Sequence, residues 1–405
     1  MKSKIKYTQK NRHVQNYVSI KMNTFGCSLS ILELTGMEKN NTRNSGIELL
    51  RILSMLMILS HHYVNFGIVH GIHGKQYDFW ANGSVINRAF SALLQPGGRI
   101  GVAVFFLITG YFGIHKKAFD GKKVFAETFY YGFFGVFILL LSHLFGTSYA
   151  RTSFSTKAIL LAKSVFIANS SGIWWFATTY LILLIIAPWI NEQMKKIQKN
   201  KQLLMLFILF CTIHLLDSLL STPFSNLYRA TFFYCVGAFL RLNPDAGVSR
   251  IDKKWSIIIA VLGWLFASLL YFEMNTILVN ETPIRNQLLY VFWDAICMAI
   301  PCLICPIMLL LFFAKDSFFN PFINTIAKST FGVYLIHEYP ATRWLIWKDL
   351  LKVDTWQYNN ALFPLLAVFS VVLCFAVCIL LDLVRAKVFE KKMLEMLDRI
   401  LTWFY

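Results

Sequence analysis

Apolar residues in this chain gather into runs separated by short polar and basic connections. Windows of this kind recur at 49–68, 98–115, 124–146, 172–190, 203–221, 228–241, 255–273, 290–313, 329–347 and 361–384, and ~20 predominantly apolar residues suffice to cross a ~30 Å hydrocarbon layer. The pattern predicts an all-α, polytopic membrane helix bundle of about ten transmembrane helices, the sixth being the shortest. Residues 158–168 form a shorter apolar piece, expected to lie at the interface or re-enter the membrane. Three regions follow: a basic tail over 1–45 without apolar periodicity, a transmembrane domain over 46–385, and a short amphipathic segment over 386–405.

Composition agrees with a membrane protein, at 57% hydrophobic and 16% aromatic residues. The formal charge of +18 does not point to nucleic acid, because the basic residues fall in clusters between apolar runs. Topology explains them instead. Connections expected inside carry Lys116, Lys117, Lys122 and Lys123 against Asp120, then Lys195, Lys196, Lys199 and Lys201 against Glu192, then Arg241, Arg250, Lys253 and Lys254 against Asp245 and Asp252. Those expected outside, 274–289 and 348–360, are balanced in charge. Both termini are therefore expected in the cytoplasm; the loop 147–171, with Arg151, Lys157 and Lys163, runs against this reading. The tail carries eight basic residues against Glu33 and Glu38 and shows no signal-peptide pattern. Met37 reads like an ordinary start, which would make residues 1–36 a dispensable upstream extension.

The first apolar window carries ionisable residues. At ~100° per residue, Arg51 and His62 return to within about 20° of one face, with Glu48 about 60° from Arg51 and His61 about 80° away. Ionisable groups inside a span usually face the bundle interior and mark substrate or proton paths. The plainer reading has Arg51 snorkelling to headgroups and the histidines capping the opposite interface. Elsewhere, Cys302 and Cys305 have metal-like spacing but lie between Pro301 and Pro306 in an apolar run, so packing explains them better. His70, His73 and Asp78 make too thin a set for zinc, and His214 with Asp217 reads as a structural pair. No metal is expected. Nucleotide-loop, serine-hydrolase and zinc-protease signatures are absent.

Four stretches together resemble one family. They are Glu48-x-x-Arg51 followed by His62; Gly101-Val-Ala-Val-Phe-Phe-Leu-Ile-Thr-Gly110-Tyr111; Ile173-Trp174-Trp175-Phe176; and Ser329-Thr-Phe-Gly-Val-Tyr334-Leu-Ile-His337-Glu338. Their order and spacing over residues 46–385 are similar to the acyltransferase-3 family of bacterial integral-membrane proteins, which move acyl groups to sugars of surface polysaccharides. The family often has Ser where this chain has Thr109.

The resemblance implies a multi-pass protein of the bacterial plasma membrane that transfers acetyl from cytoplasmic acetyl-CoA. The acceptor would be a cell-envelope glycan or lipid-linked sugar. Histidine suits proton removal from a hydroxyl, so His62 is the candidate base or acyl carrier. Glu48 would orient or neutralise Arg51. Arg51, with a planar fork for phosphate oxygens, is expected on the CoA side, aided by Lys116 and Lys117. Tyr334 and His337, one turn apart, complete the candidate catalytic set; an interhelical structural hydrogen bond is the alternative for His337. Phe105, Phe106 and Tyr111 read as packing, and Trp174 and Trp175 as an interfacial belt or a sugar platform. The competing function is a transporter or flippase of a polysaccharide or lipid-linked sugar, its buried charges lining the path.

Overall fold

A computed structural model describes residues 44–69, 75–118, 121–166, 173–219, 222–278, 298–315, 317–357 and 360–404. Nearly all of the basic tail, His70 and His73, and most of the outer connection 274–289 lie outside the described residues, as do the side chains of Asp78, His214 and Asp217.

The fold is all-α, with no strand among the described residues. In chain order the helices are α1 (Ser45–Val64), α2 (Lys75–Asn82), α3 (Val85–Leu94), α4 (Gly97–Gly113), α5 (Lys122–Leu144), α6 (Phe154–Phe166), α7 (Trp175–Lys196) and α8 (Lys199–Leu219). They continue as α9 (Thr222–Leu242), α10 (Lys253–Leu278), α11 (Ala299–Ala314), α12 (Pro321–Lys328), α13 (Thr330–Glu338), α14 (Pro340–Trp344), α15 (Phe363–Arg385) and α16 (Lys391–Phe404). Six helical segments among the described residues are long and apolar enough to cross a membrane: Ser45–Ile68, Val85–Gly113, Lys122–Leu144, Trp175–Lys196, Lys253–Ile277 and Phe363–Arg399. The chain is a polytopic helix bundle.

Helix α1 starts where Asn44 leaves extended backbone and its side-chain oxygen accepts from Gly46 N at 2.9 Å. That bond satisfies one of the donors a helix start leaves orphaned, and Glu48 in the first turn suits the dipole. Ser45 then clasps α12 and the segment before it: its N–H donates to the Phe318 carbonyl at 2.9 Å, its hydroxyl donates to Asn324 at 2.8 Å and accepts from Asn320 N at 2.7 Å.

At the centre, α4 packs chiefly against α1 and α9. A Cβ at Gly101 would stand 2.6 Å from the Ser54 carbonyl oxygen, and one at Gly110 would collide with the Tyr234 carbonyl. Hydrogen at these positions lets the backbones approach, as small residues do in membrane bundles.

Two expectations need correction. The window 228–241 is the core of a full 21-residue helix, α9. Its first turns carry Ser225, Asn226 and Arg229, which depress hydropathy there. The window 329–347 is not one helix: α13 ends at Glu338, Tyr339 is extended (φ −61°, ψ 131°), and α14 restarts at Pro340. A residue preceding proline is pushed out of helical geometry, and proline has no N–H to continue the ladder.

A buried ionic cluster joins α5 to α15. Arg385 donates to Glu127 at 2.6 Å, Asp382 at 2.7 Å and Glu390 at 3.2 Å, and Tyr131 donates to Asp382 at 2.7 Å.

Candidate active site

The break after Glu338 shapes the site. Because the chain restarts at Pro340, Arg343 folds back beneath the end of α13. Its Nη2 donates to the Glu338 carbonyl at 3.1 Å and to Glu338 Oε1 at 2.6 Å. A cation at a helix C-terminus is favoured by the dipole, and the guanidinium also lies 3.9 Å from the centre of the Phe66 ring. Glu338 is 4% exposed, and this pairing makes its burial tolerable.

Across from α13, α1 presents His62. Its Nδ1 lies 2.8 Å from His337 Nε2 and 3.3 Å from Glu338 Oε2. His337 is completely buried, and its Nδ1 stands 2.6 Å from the Val333 carbonyl. The Phe66 ring packs against His62 at 4.9 Å between centroids.

His62 and Phe66 border a cavity of 620 Å³ between α1, α4, α7, α8, α9, α10 and α11, with Tyr334 and Glu338 of α13 also on its wall. Its lining is graded. Where α1 and α10 finish and α4 and α9 begin, it is polar, with Asn65, Gln95, Arg99, Asn226, Arg229 and Asn275. Further along the same helices it becomes apolar, through Met55, Ile58, Val102, Phe105, Phe106 and Phe232. His62 stands between the two parts.

Of the residues singled out from sequence, the structure brings together His62, His337 and Tyr334. Tyr334 accepts the Phe176 N–H at 3.2 Å. Arg51 is elsewhere: it pairs with Glu48 at 3.6 Å and is absent from the cavity wall. The helical stripe from Arg51 through Met55 and Ile58 to His62 is real, but the cavity stops at Met55, one turn short of the arginine. Lys116 and Lys117 border a separate cleft of 570 Å³ with Trp189, Lys195 and Lys196. Asn191 fastens that region by donating to the Gly113 and Lys116 carbonyls at 2.9 and 3.0 Å.

His61 borders the same cavity and its Nδ1 contacts the Gln95 carbonyl at 3.0 Å. Phe105 and Phe106 line the cavity as well as pack, whereas Tyr111 sits under Arg241, 5.1 Å from its guanidinium. Trp174 is fully buried and donates to the Leu335 carbonyl at 3.0 Å, while Trp175 reaches the cavity. Sequence reasoning assigned no role to Arg99, Arg229, Arg343 or Glu338. An arginine three residues past a proline inside an apolar window was the available signal for Arg343.

His62, His337 and Glu338 are also the group among the described residues whose donor atoms, all within 4.8 Å of one another, suit a metal ion. Two nitrogens bound to one tetrahedral ion at ~2.0–2.1 Å stand roughly 3.3 Å apart. The 2.8 Å separation of the two histidines is that of a hydrogen bond.

Membrane-length helices around a partly polar cavity, with a hydrogen-bonded histidine pair at its edge, define an integral-membrane protein that acts on a ligand held between its helices. The chain belongs to the acyltransferase-3 family, whose sequence model, an acyltransferase domain, matches residues 44–383. It is thus a membrane acyltransferase moving groups other than amino-acyl groups. No curated protein and no solved structure matches the chain.

Proposed function

We propose that this protein is an O-acetyltransferase of the bacterial plasma membrane. It moves acetyl from cytoplasmic acetyl-CoA to a hydroxyl of a cell-surface polysaccharide or its lipid-linked precursor. The observation that carries this reading is the graded cavity with His62 at its boundary. In the topology that the loop charges favour, the polar part faces outward, where amides, guanidinium groups and Trp175 suit a sugar. The aromatic part leads inward and suits the acetyl-pantetheine arm. The cleft of Lys116, Lys117, Lys195 and Lys196 supplies cations for the CoA phosphates on the inner side.

In this mechanism His62 takes the proton of the acceptor hydroxyl as its oxygen attacks the thioester carbon. The C–S bond breaks, the thiolate leaves, and the proton on His62 passes to it, giving the ester and free CoA thiol. General-base help of this kind contributes ~10²–10⁴ in rate.

The test is purified protein in detergent with radiolabelled acetyl-CoA and an envelope glycan extract. Label moving to glycan, or slow thioester hydrolysis when glycan is omitted, supports the reading. A protein that binds glycan yet never consumes the thioester would be a carrier or flippase, and the proposal would fall.

A further inference from the structure

Resting on the acyl-transfer reading, we propose that His337 is a positioning residue that fixes the tautomer of His62, presenting an unprotonated His62 Nε2 to the cavity with Glu338–Arg343 as counter-charge.

The protons can be followed from one end. A carbonyl oxygen only accepts, so the 2.6 Å contact between His337 Nδ1 and the Val333 carbonyl requires the hydrogen on His337 Nδ1. A neutral imidazole with that proton carries a lone pair on Nε2. The 2.8 Å bond to His62 therefore requires the hydrogen on His62 Nδ1. His62 then has one nitrogen left, Nε2, which bears a lone pair and has no hydrogen-bond partner among the described residues. The reverse order would need a doubly protonated His337 in full burial, adding a second cation beside Arg343 where one carboxylate is available.

His337 cannot itself meet a substrate. It is completely buried and is not part of the cavity wall, whereas His62, Tyr334 and Glu338 are. Its influence must pass through His62. Glu338 completes the arrangement. Its Oε1 is held by Arg343, while its buried Oε2 makes no hydrogen bond and lies 3.3 Å from His62 Nδ1. When Nε2 accepts the hydroxyl proton, the new positive charge forms beside that carboxylate. No reorganisation is required, as preorganised electrostatic stabilisation demands.

Two measurements on the full chain in detergent or nanodiscs test the proposal. The first is the ¹⁵N spectrum of histidine-labelled protein, with His62 assigned by its absence in His62→Gln. The expected pattern is a protonated Nδ1 and a bare Nε2 on His62, and the same on His337. This readout does not depend on catalysis. A protonated Nε2 on His62 overturns the tautomer assignment and leaves acyl transfer standing; the expected pattern in a protein that never consumes acetyl-CoA retires the acyl-transfer reading instead.

The second measurement compares His337→Gln with His337→Leu. A glutamine places its amide oxygen near the lost Nε2 and still accepts from His62, so kcat should stay within about tenfold of the wild type. Leucine fills the space without accepting and should lower kcat by ~10²-fold or more, within the range of general-base loss. KM for acetyl-CoA should hold in both, since His337 touches no substrate. Equal kcat in the two variants, or loss appearing in KM alone, overturns the proposal. So does abolition of activity by EDTA with recovery on added Zn²⁺, which would make the pair metal ligands.

Discussion

Replacing His62 by alanine removes the proton acceptor and leaves the rest of the cavity in place. Loss of a general base predicts a fall of ~10²–10⁴ in kcat, equivalent to about 2.7–5.4 kcal/mol of activation free energy. The cost to the fold is smaller. Truncation leaves His337 Nε2 without its donor, a penalty of ~1–3 kcal/mol for a buried orphan. The space vacated opens onto the 620 Å³ cavity, where water can reach that nitrogen, so the penalty should sit at the low end. His61→Ala is the matched control. The change removes the contact to the Gln95 carbonyl at 3.0 Å, of a kind worth ~0.5–1.5 kcal/mol, and activity should fall by no more than about tenfold. Initial rates of acetyl transfer are compared at matched expression, with size-exclusion profiles reporting the fold. Full activity in His62→Ala, or equal loss in both variants, would refute the assignment of the base.

Further expectations concern the rest of the molecule. Arg385→Met strips the cation from Glu127 and Asp382, each at least 97% buried, and should destabilise the protein by ~3–5 kcal/mol; a second change, Glu127→Gln, should return part of it, and an unchanged unfolding midpoint in Arg385→Met would contradict the role given to the cluster. Lys117→Ala with Lys195→Ala should raise KM for acetyl-CoA several-fold at unchanged kcat, more visibly at low salt; an unaltered KM would reduce these lysines to topology anchors. Arg51→Lys keeps the charge but loses the planar fork, so a raised KM for acetyl-CoA would tie Arg51 to the donor, and an unchanged one would leave it as the partner of Glu48. Cysteines introduced at 158 and 195 should label from opposite sides of the membrane, and labelling from one side would undo the assigned topology.

The apolar windows announced the helices because crossing lipid demands both length and low polarity, and α5, α7 and α15 were readable for that reason. Where function needs polar groups inside a helix, the same signal fades. Asn226 and Arg229 hid the first turns of α9 because they face the cavity. Pro340, inside the window 329–347, marks the point where the helix breaks. Each histidine of the central pair was visible separately, one by its helical phase and one by its motif. Their contact was not, since 275 positions separate them and only tertiary packing joins them. Arg385 and Asp382 stand at the end of the last apolar window, and the sequence gives no sign of their cluster because Glu127 lies 258 positions away from Arg385.

The Ser45 clasp has a consequence for chain length. Ser45 meets Asn320 at an offset of 275 positions, and His62 meets His337 at the same offset. The stretches 45–62 and 320–337, the second made of α12 and α13 joined at Ser329, are therefore tied at both ends, and along the single helix α1 the two ties stand about 26 Å apart at ~1.5 Å per residue. A single inserted or deleted residue in either stretch would turn its histidine by ~100° and move it by ~1.5 Å, more than a hydrogen bond tolerates. Substitutions on the lipid-facing sides of these stretches should pass unnoticed while any one-residue change in their length silences the enzyme.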